Sequence, residues 1–335
     1  MTPKDMDKLN RLKDTFSLNF RITRMYATYL ESFPELITKE MMDRLCEDGT
    51  VSPASGAAAL LAEIFGLGEG GRIADRRLVR EYLYPSVRIL DTKKYTENPY
   101  YKNIKIENVK DGDWELRTEC YPAYRGFIAG DMIFADDFKE IPPLGFFPED
   151  FYFPAVLEGG NEWMTLTPVD LDTSEEAIAK ARGRVVTYGL GLGYYAYMVS
   201  EKDEVESITV VEKSEKVMEL FKKYILPQFS HPEKVITVNS DAFEYAERVA
   251  PKMNFDLAFV DTWRDASDGL PMYEKMKALE PLSPNTKFIY WIENHILSRR
   301  RALNYAKALE LMENSSDNAP RDYEEFLRLV NGRLI

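Results

Sequence analysis

The stretch Arg184-Val185-Val186-Thr187-Tyr188-Gly189-Leu190-Gly191-Leu192-Gly193 reads as a short buried strand running into a glycine-rich turn. Apolar and β-branched residues fill the strand, and glycines let the backbone turn sharply where a side chain would collide. Just upstream, Thr173 and Glu176 have the spacing of a capping box, predicting a short helix over Ser174–Arg182 that Gly183 closes. Downstream, strand-like runs recur at Ser207–Val211, Lys234–Val238, Asp256–Val260 and Lys287–Ile292. Polar segments of helical length separate them; in one, Val217, Leu220, Phe221, Tyr224 and Ile225 fall on one face. Five strands, each followed by a helix, predict an α/β fold with a parallel sheet and right-handed crossovers.

The half of the chain before this region has a different texture. Residues 1–90 read as helical: Met6, Leu9, Leu12, Phe16 and Phe20 recur at helical spacing, and Ser52-Pro53 is a helix start before the apolar run Ala57–Phe65. This region is expected to pack or to mediate a homodimer. Residues 91–170 read as a small β-rich unit. Ile104–Val109 and Trp114–Tyr121 flank Asp111-Gly112 as a hairpin, and Pro142, Pro143, Pro148 and Pro154 break up longer elements. The expected organisation is therefore a helical region (1–90), a β-rich unit (91–170) and a Rossmann-like domain (171–335). The tail from Leu297 to Ile335 reads as helical, so either the sheet stops at five strands or the N-terminal half supplies its remaining edge.

Composition limits the partners. With 335 residues and a net charge of −13, the chain is long enough for two cores and too acidic for duplex nucleic acid, which is bound through Lys and Arg. The basic run Arg299-Arg300-Arg301 reads as a solvated helix face. Cys46 and Cys120 are far apart and form neither a disulfide framework nor a zinc knuckle. The start is polar and the longest apolar stretch, Ala54–Leu67, is too short to span a bilayer, so a cytoplasmic protein without a membrane partner is expected.

Ligands of open parallel sheets bind beyond the carboxyl ends of the strands. There the sequence offers the glycine turn after the first strand, Glu212 after the second, Asn239-Ser240-Asp241-Ala242 after the third and Asp261 after the fourth. A carboxylate such as Glu212 can accept hydrogen bonds from both hydroxyls of a ribose. Asp241 is a candidate acceptor for an adenine amino group.

Taken in order, these residues resemble the class I S-adenosylmethionine (SAM) dependent methyltransferase superfamily over roughly Thr173–Asn294. The resemblance implies that Gly189, Gly191 and Gly193 pack under the methionine part of SAM, that Glu212 holds the ribose, and that Asp241 with Ala242 contacts adenine. It also implies a methyl transferase acting on a small-molecule acceptor, with Glu162–Pro168 as a candidate wall of the acceptor site and Tyr194, Tyr195 and Tyr197 near the donor. Two departures stand out. The closing antiparallel hairpin of the family is missing, and Lys213-Ser214 stands where an apolar residue commonly meets the adenine ring.

Three narrower readings follow from the same region. Asp261-Thr262-Trp263-Arg264 is similar to the DHWK stretch of catechol-type O-methyltransferases, which implies Mg²⁺ on Asp261, Glu293 and Asn294, with Asp261 and His295 as catalytic candidates. Arg264 replaces the basic lysine of that stretch and stays protonated; the alternative is that Asp265 and Asp268 cap the next helix. The glycine turn and second-strand acid are also similar to spermidine-synthase-like aminopropyltransferases, although their GGGDGG aspartate is missing. Gly191–Ala196 satisfies a GxGxxA pattern as well, but too little chain follows Ile292 for a nicotinamide enzyme's second half-sheet. Asn98-Pro99-Tyr100-Tyr101 resembles the NPPY loop of amino-methyltransferases but precedes the sheet. A SAM-fold protein that binds without catalysing is the remaining alternative.

Overall fold

Thr167-Pro168-Val169-Asp170 opens the helix that leads into the sheet. The computed structural model describes residues 1–68, 72–314 and 318–332. Proline presets the first helical turn, and the Asp170 carboxylate accepts from Thr167 N and Oγ1, so the helix runs over Pro168–Lys180. The expected start at Thr173 is thus corrected: Thr173 lies within the helix and its hydroxyl donates to the Val169 carbonyl.

Five strands follow, β1 (Gly183–Tyr188), β2 (Val205–Glu212), β3 (Val235–Asn239), β4 (Leu257–Val260) and β5 (Lys287–Tyr290). They form one all-parallel sheet in the order β3-β2-β1-β4-β5. Val185, Val186 and Tyr188 of the central strand are fully buried, as expected for a strand covered on both faces. This is a Rossmann-like α/β fold. The order reverses at β1, between β2 and β4, which is where such sheets open a crevice. Among the described residues the sheet stops at five strands.

The same compact unit, residues 91–123 and 147–291, carries a four-stranded antiparallel sheet. Trp114–Tyr121 pairs along eight residues with Phe151–Glu158, flanked by Val109–Asp111 on one side and Asn161–Thr165 on the other. The predicted hairpin is therefore short, with Asp111 opposite Trp114, and residues 104–108 are not strand. Pro154 sits inside a strand rather than ending one; it gives up a ladder donor, and its carbonyl accepts from Leu166 N.

The other unit gathers residues 1–90, 124–146 and 292–335, so the expected division into three consecutive segments does not match how the chain packs. Its first helix, Pro3–Ser32, is capped by a reciprocal Thr2–Asp5 pair. Leu9, Leu12 and Phe16 on that helix are buried against Tyr305, Ala308, Phe326 and Val330 of the C-terminal helices Glu293–Glu313 and Tyr323–Asn331. Met6 and Phe20, expected on the buried face, are exposed. Ser52 caps the helix Pro53–Ile64 as its sequence indicates. A small sheet in the order Val87–Ile89, Leu144–Phe146, Phe127–Ile128 completes the unit. Residues 69–71 of the expected helical region, and 315–317 and 333–335 of the tail, lie outside the described residues. Among the described residues no helix is long and apolar enough to cross a membrane.

Candidate ligand site at the carboxyl edge of the parallel sheet

Where β1 ends, the chain can turn only as glycine. Gly189 has φ +101°, and a Cβ there would stand 1.8 Å from the Asp261 carbonyl oxygen. Its backbone N–H donates to the Val211 carbonyl, and Asp261 N donates to the Tyr188 carbonyl, so the ends of β1, β2 and β4 are tied together. Gly191, at φ +53°, faces the Met164 side chain, 3.2 Å from where a Cβ would lie. Gly189 and Gly191 line a crevice of about 650 Å³. Gly193 does not: it begins the helix Tyr194–Ser200 and packs beneath the Phe221 ring.

Glu212, Asp241, Ala242 and Asp261 line the same crevice, which brings together the residues singled out after β2, β3 and β4. Glu212 is already oriented: one carboxylate oxygen accepts from Leu190 N at 3.2 Å and the other from Ser214 N at 2.7 Å. Each oxygen keeps a second lone pair for a ligand. Asp241 is more committed. Its Oδ1 accepts from Phe243 N and Glu244 N as the cap of the helix Ala242–Arg248, and Lys213 Nζ stands 3.9 Å from Oδ2.

Asp261 is different in kind. Its carboxylate has no hydrogen-bond or ion-pair partner among the described residues. Burial, then the charges of Asp170 and Glu212, hold its carboxyl well above the usual carboxylate range. Asp170, which the sequence reading passed over, is buried, and that burial pushes its carboxyl up to about 7. Its one advance signal is the Thr-Pro-x-Asp capping pattern ahead of the first strand.

The rest of the lining mixes aromatic and apolar side chains with Lys213, Ser214, Thr262, Arg264 and Asp268. Trp163 and Met164, from the predicted wall, form part of it. Phe243, four residues beyond the end of β3 at Asn239, adds an aromatic ring to the lining, with Lys275 Nζ 4.1 Å from its ring centroid. Trp263 Nε1 and Thr262 Oγ1 are buried and lack a hydrogen-bond partner among the described residues. Asp265 and Asp268 form the capping box of the helix Ala266–Leu279, and Asp268 also borders the crevice.

Other candidates take structural places. Asn98 caps the short helix Pro99–Asn103 and its amide donates to the Tyr194 hydroxyl. The Tyr197 hydroxyl accepts from Asn103. Glu293, Asn294 and His295 begin the helix Glu293–Glu313 of the other unit. There the Asp131 carboxylate accepts from the backbone N–H of both Asn294 and His295, and His295 Nδ1 lies 2.6 Å from Asp131 Oδ1. The Asn294 amide donates to the Met132 carbonyl. Asp261 thus belongs to one compact unit, and Glu293, Asn294 and His295 to the other. Among the described residues no group of three His, Cys, Asp or Glu is placed to hold a metal ion.

No protein-family model matches this chain, and no curated protein matches it. Among solved structures, it is similar to a spermidine synthase from Thermotoga maritima, with 19% identity over 36% of this chain and 45% of that one, at a TM-score of 0.27. It is similar also to a spermidine synthase in complex with the transition-state analogue AdoDATO, with 18% identity over the same shares and a TM-score of 0.26. The chain spans less than half the length of either. The Rossmann-like assignment rests on the parallel pairing and order of the five strands.

Proposed function

We propose that the crevice binds an S-adenosyl sulfonium and that the protein transfers a group from it, in the first instance methyl, to a small-molecule acceptor. One observation carries this reading: a glycine turn, an oriented Glu212 and an uncompensated Asp261 share a single crevice at the switch point of the sheet. When bound, the sulfonium supplies an activated carbon, so the protein's task is positioning rather than covalent chemistry. Glu212 accepts hydrogen bonds from the ribose hydroxyls with the lone pairs its backbone donors leave open. Phe243 and Ala242 offer an apolar surface to the base, and Asp241 its remaining acceptor capacity. Asp261 balances the ligand's positive charge. Trp163, Met164 and Trp263 exclude water from the reacting centre.

A second reading, aminopropyl transfer from decarboxylated SAM, is favoured by one feature. The lining beside the glycine turn includes Asp170, Asp261 and several hydroxyl groups but no Lys, Arg or His to pair with a carboxylate. Calorimetric titration with SAM, decarboxylated SAM and NAD separates the readings. Binding of SAM with turnover of a metabolite acceptor supports methyl transfer; tighter binding of decarboxylated SAM supports the second reading; preference for NAD overturns both. Glu212→Ala is expected to weaken SAM binding by about 1–3 kcal/mol, the cost of losing a charged acceptor. Unchanged affinity overturns the ribose assignment.

A further inference from the structure

The motif Asn98-Pro99-Tyr100-Tyr101 does not line the crevice, but four side chains of its short helix and cap reach the segments that build it. Successive helical residues point about 100° apart, so the adjacent tyrosines reach different segments. The Tyr100 hydroxyl donates to the Leu192 carbonyl, inside the glycine turn. The Tyr101 hydroxyl donates to the Leu166 carbonyl at 2.6 Å, two residues beyond Met164. The side-chain amides of Asn98 and Asn103 donate to the hydroxyls of Tyr194 and Tyr197 at 3.2 and 2.7 Å, on the helix that follows the turn. We propose that Tyr100 and Tyr101 are positioning residues: together they fix the separation between the glycine turn and the Met164 wall, and with it the fit of the arm that the donor carries on its sulfur. The proposal rests on the adenosyl reading of the crevice.

Three observations carry it. First, the two carbonyls belong to the walls themselves. Leu166 and Leu192 border a recess of about 20 Å³ that shares Met164, Gly189, Leu190, Gly191 and Asp261 with the crevice. Second, the walls are close. A Cβ on Gly191 would stand 3.2 Å from Met164 Cε, and a shift of about 0.5–1 Å forfeits a quarter to a half of such a contact. Third, the anchors are rigid. Tyr100 is fully buried, its ring edge-on to Tyr194 and Tyr197 at centroid distances of 5.7 and 5.6 Å. The Tyr101 ring packs 6.0 Å from that of Phe151. Asn98 Oδ1 accepts from Tyr100 N, and Pro99 presets the first turn. The glycine turn is therefore held from two sides, at Leu190 N by the Glu212 carboxylate and at the Leu192 carbonyl by Tyr100. Glu212 serves the part of the crevice read as the ribose site, and the two tyrosines serve the part read as the site of the arm.

Calorimetric titration of the full chain with adenosine and with S-adenosylhomocysteine tests this, because the two share the nucleoside and only the second carries the arm. Tyr100→Phe and Tyr101→Phe each keep the ring and remove one hydroxyl. Each is expected to weaken S-adenosylhomocysteine binding roughly five- to tenfold, in line with a lost buried hydrogen bond, and adenosine binding by no more than about twofold. The double variant is expected to lose little more than either single one, because releasing one anchor already frees the separation that both set. A side chain that serves the fold alone lowers the melting temperature without this selectivity, so thermal unfolding is measured alongside. Tyr100 is the more buried of the two; if Tyr100→Phe does not fold, the selectivity of Tyr101→Phe decides. Equal weakening of both ligands, no weakening, or losses that multiply in the double variant overturn the positioning role and spare the crevice reading. Unsubstituted protein that binds neither ligand overturns both.

Discussion

Two aspartates in this molecule stand at turns beside the start or end of a regular element, and they have opposite surroundings. Asp131 is met by the backbone N–H groups of Asn294 and His295 and by the His295 ring. Asp261, after β4, is met by none, and its side chain opens on a crevice and a recess instead. Both are half-buried acids, but the first completes the start of a helix and the second leaves a charge without a partner. On the proposed function, the contrast separates a carboxylate that holds the fold from one left open to a ligand: the number of donors already aimed at it, rather than its residue type, marks the difference.

The comparison can be broken at several points. The largest effect is expected from Gly189→Ala, which sets a methyl group against the Asp261 carbonyl in a backbone conformation that disfavours side chains. We expect a loss of about 4 kcal/mol or more, or failure to fold, measured by urea unfolding. Next comes pH. Between about pH 4 and pH 7 the folded protein keeps on Asp170 a proton that the unfolded chain has released. The folded state therefore binds more protons, and stability falls as pH rises through that window. The displacement from 3.8 to about 7 corresponds to at most about 4 kcal/mol. Asp261, raised in the same direction, adds to it. Asp170→Asn should flatten this dependence; an unchanged slope in ligand-free protein would remove Asp170 as its source.

Asp131→Ala should cost about 2 kcal/mol, because two N–H groups of the helix Glu293–Glu313 lose their cap. The smallest effect on stability, and of the opposite sign, is expected at the other aspartate. Asp261→Asn removes an unpaired charge and should leave unfolding unchanged or stabilise the protein by about 1 kcal/mol, while adenosyl-sulfonium affinity drops roughly tenfold or more. If Asp131→Ala is neutral, or Asp261→Asn strongly destabilising, the division between structural and ligand-facing acids fails.

Much of the sheet and its edge was legible because periodicity and turn chemistry are local. Each expected strand is present within one or two residues at either end, and Glu212, Asp241 and Asp261 line one crevice because parallel strands end together. Phe243 lies outside the expected set because the resemblance puts the apolar contact after Glu212, whereas the ring that lines the crevice stands two positions beyond Asp241. His295 and Asn294 were read beside Asp261 by sequence pattern, whereas their hydrogen-bond partners, Asp131 and Met132, lie more than 160 positions away in the chain. The helix start was misplaced because two capping patterns overlap between Thr167 and Glu176, and the proline belongs to the earlier one.

By itself, then, the order of residues determined the alternation of strand and helix, the glycine bend and the acids at the strand ends, since these follow from side-chain period and backbone sterics within a few positions. Only the tertiary structure decided that the first helix packs with the last two, that Asp131 completes a helix, and that Asp170 and Asp261 border one recess. Burial and the count of available donors are properties of what surrounds a side chain, and those surroundings are assembled from distant parts of the chain.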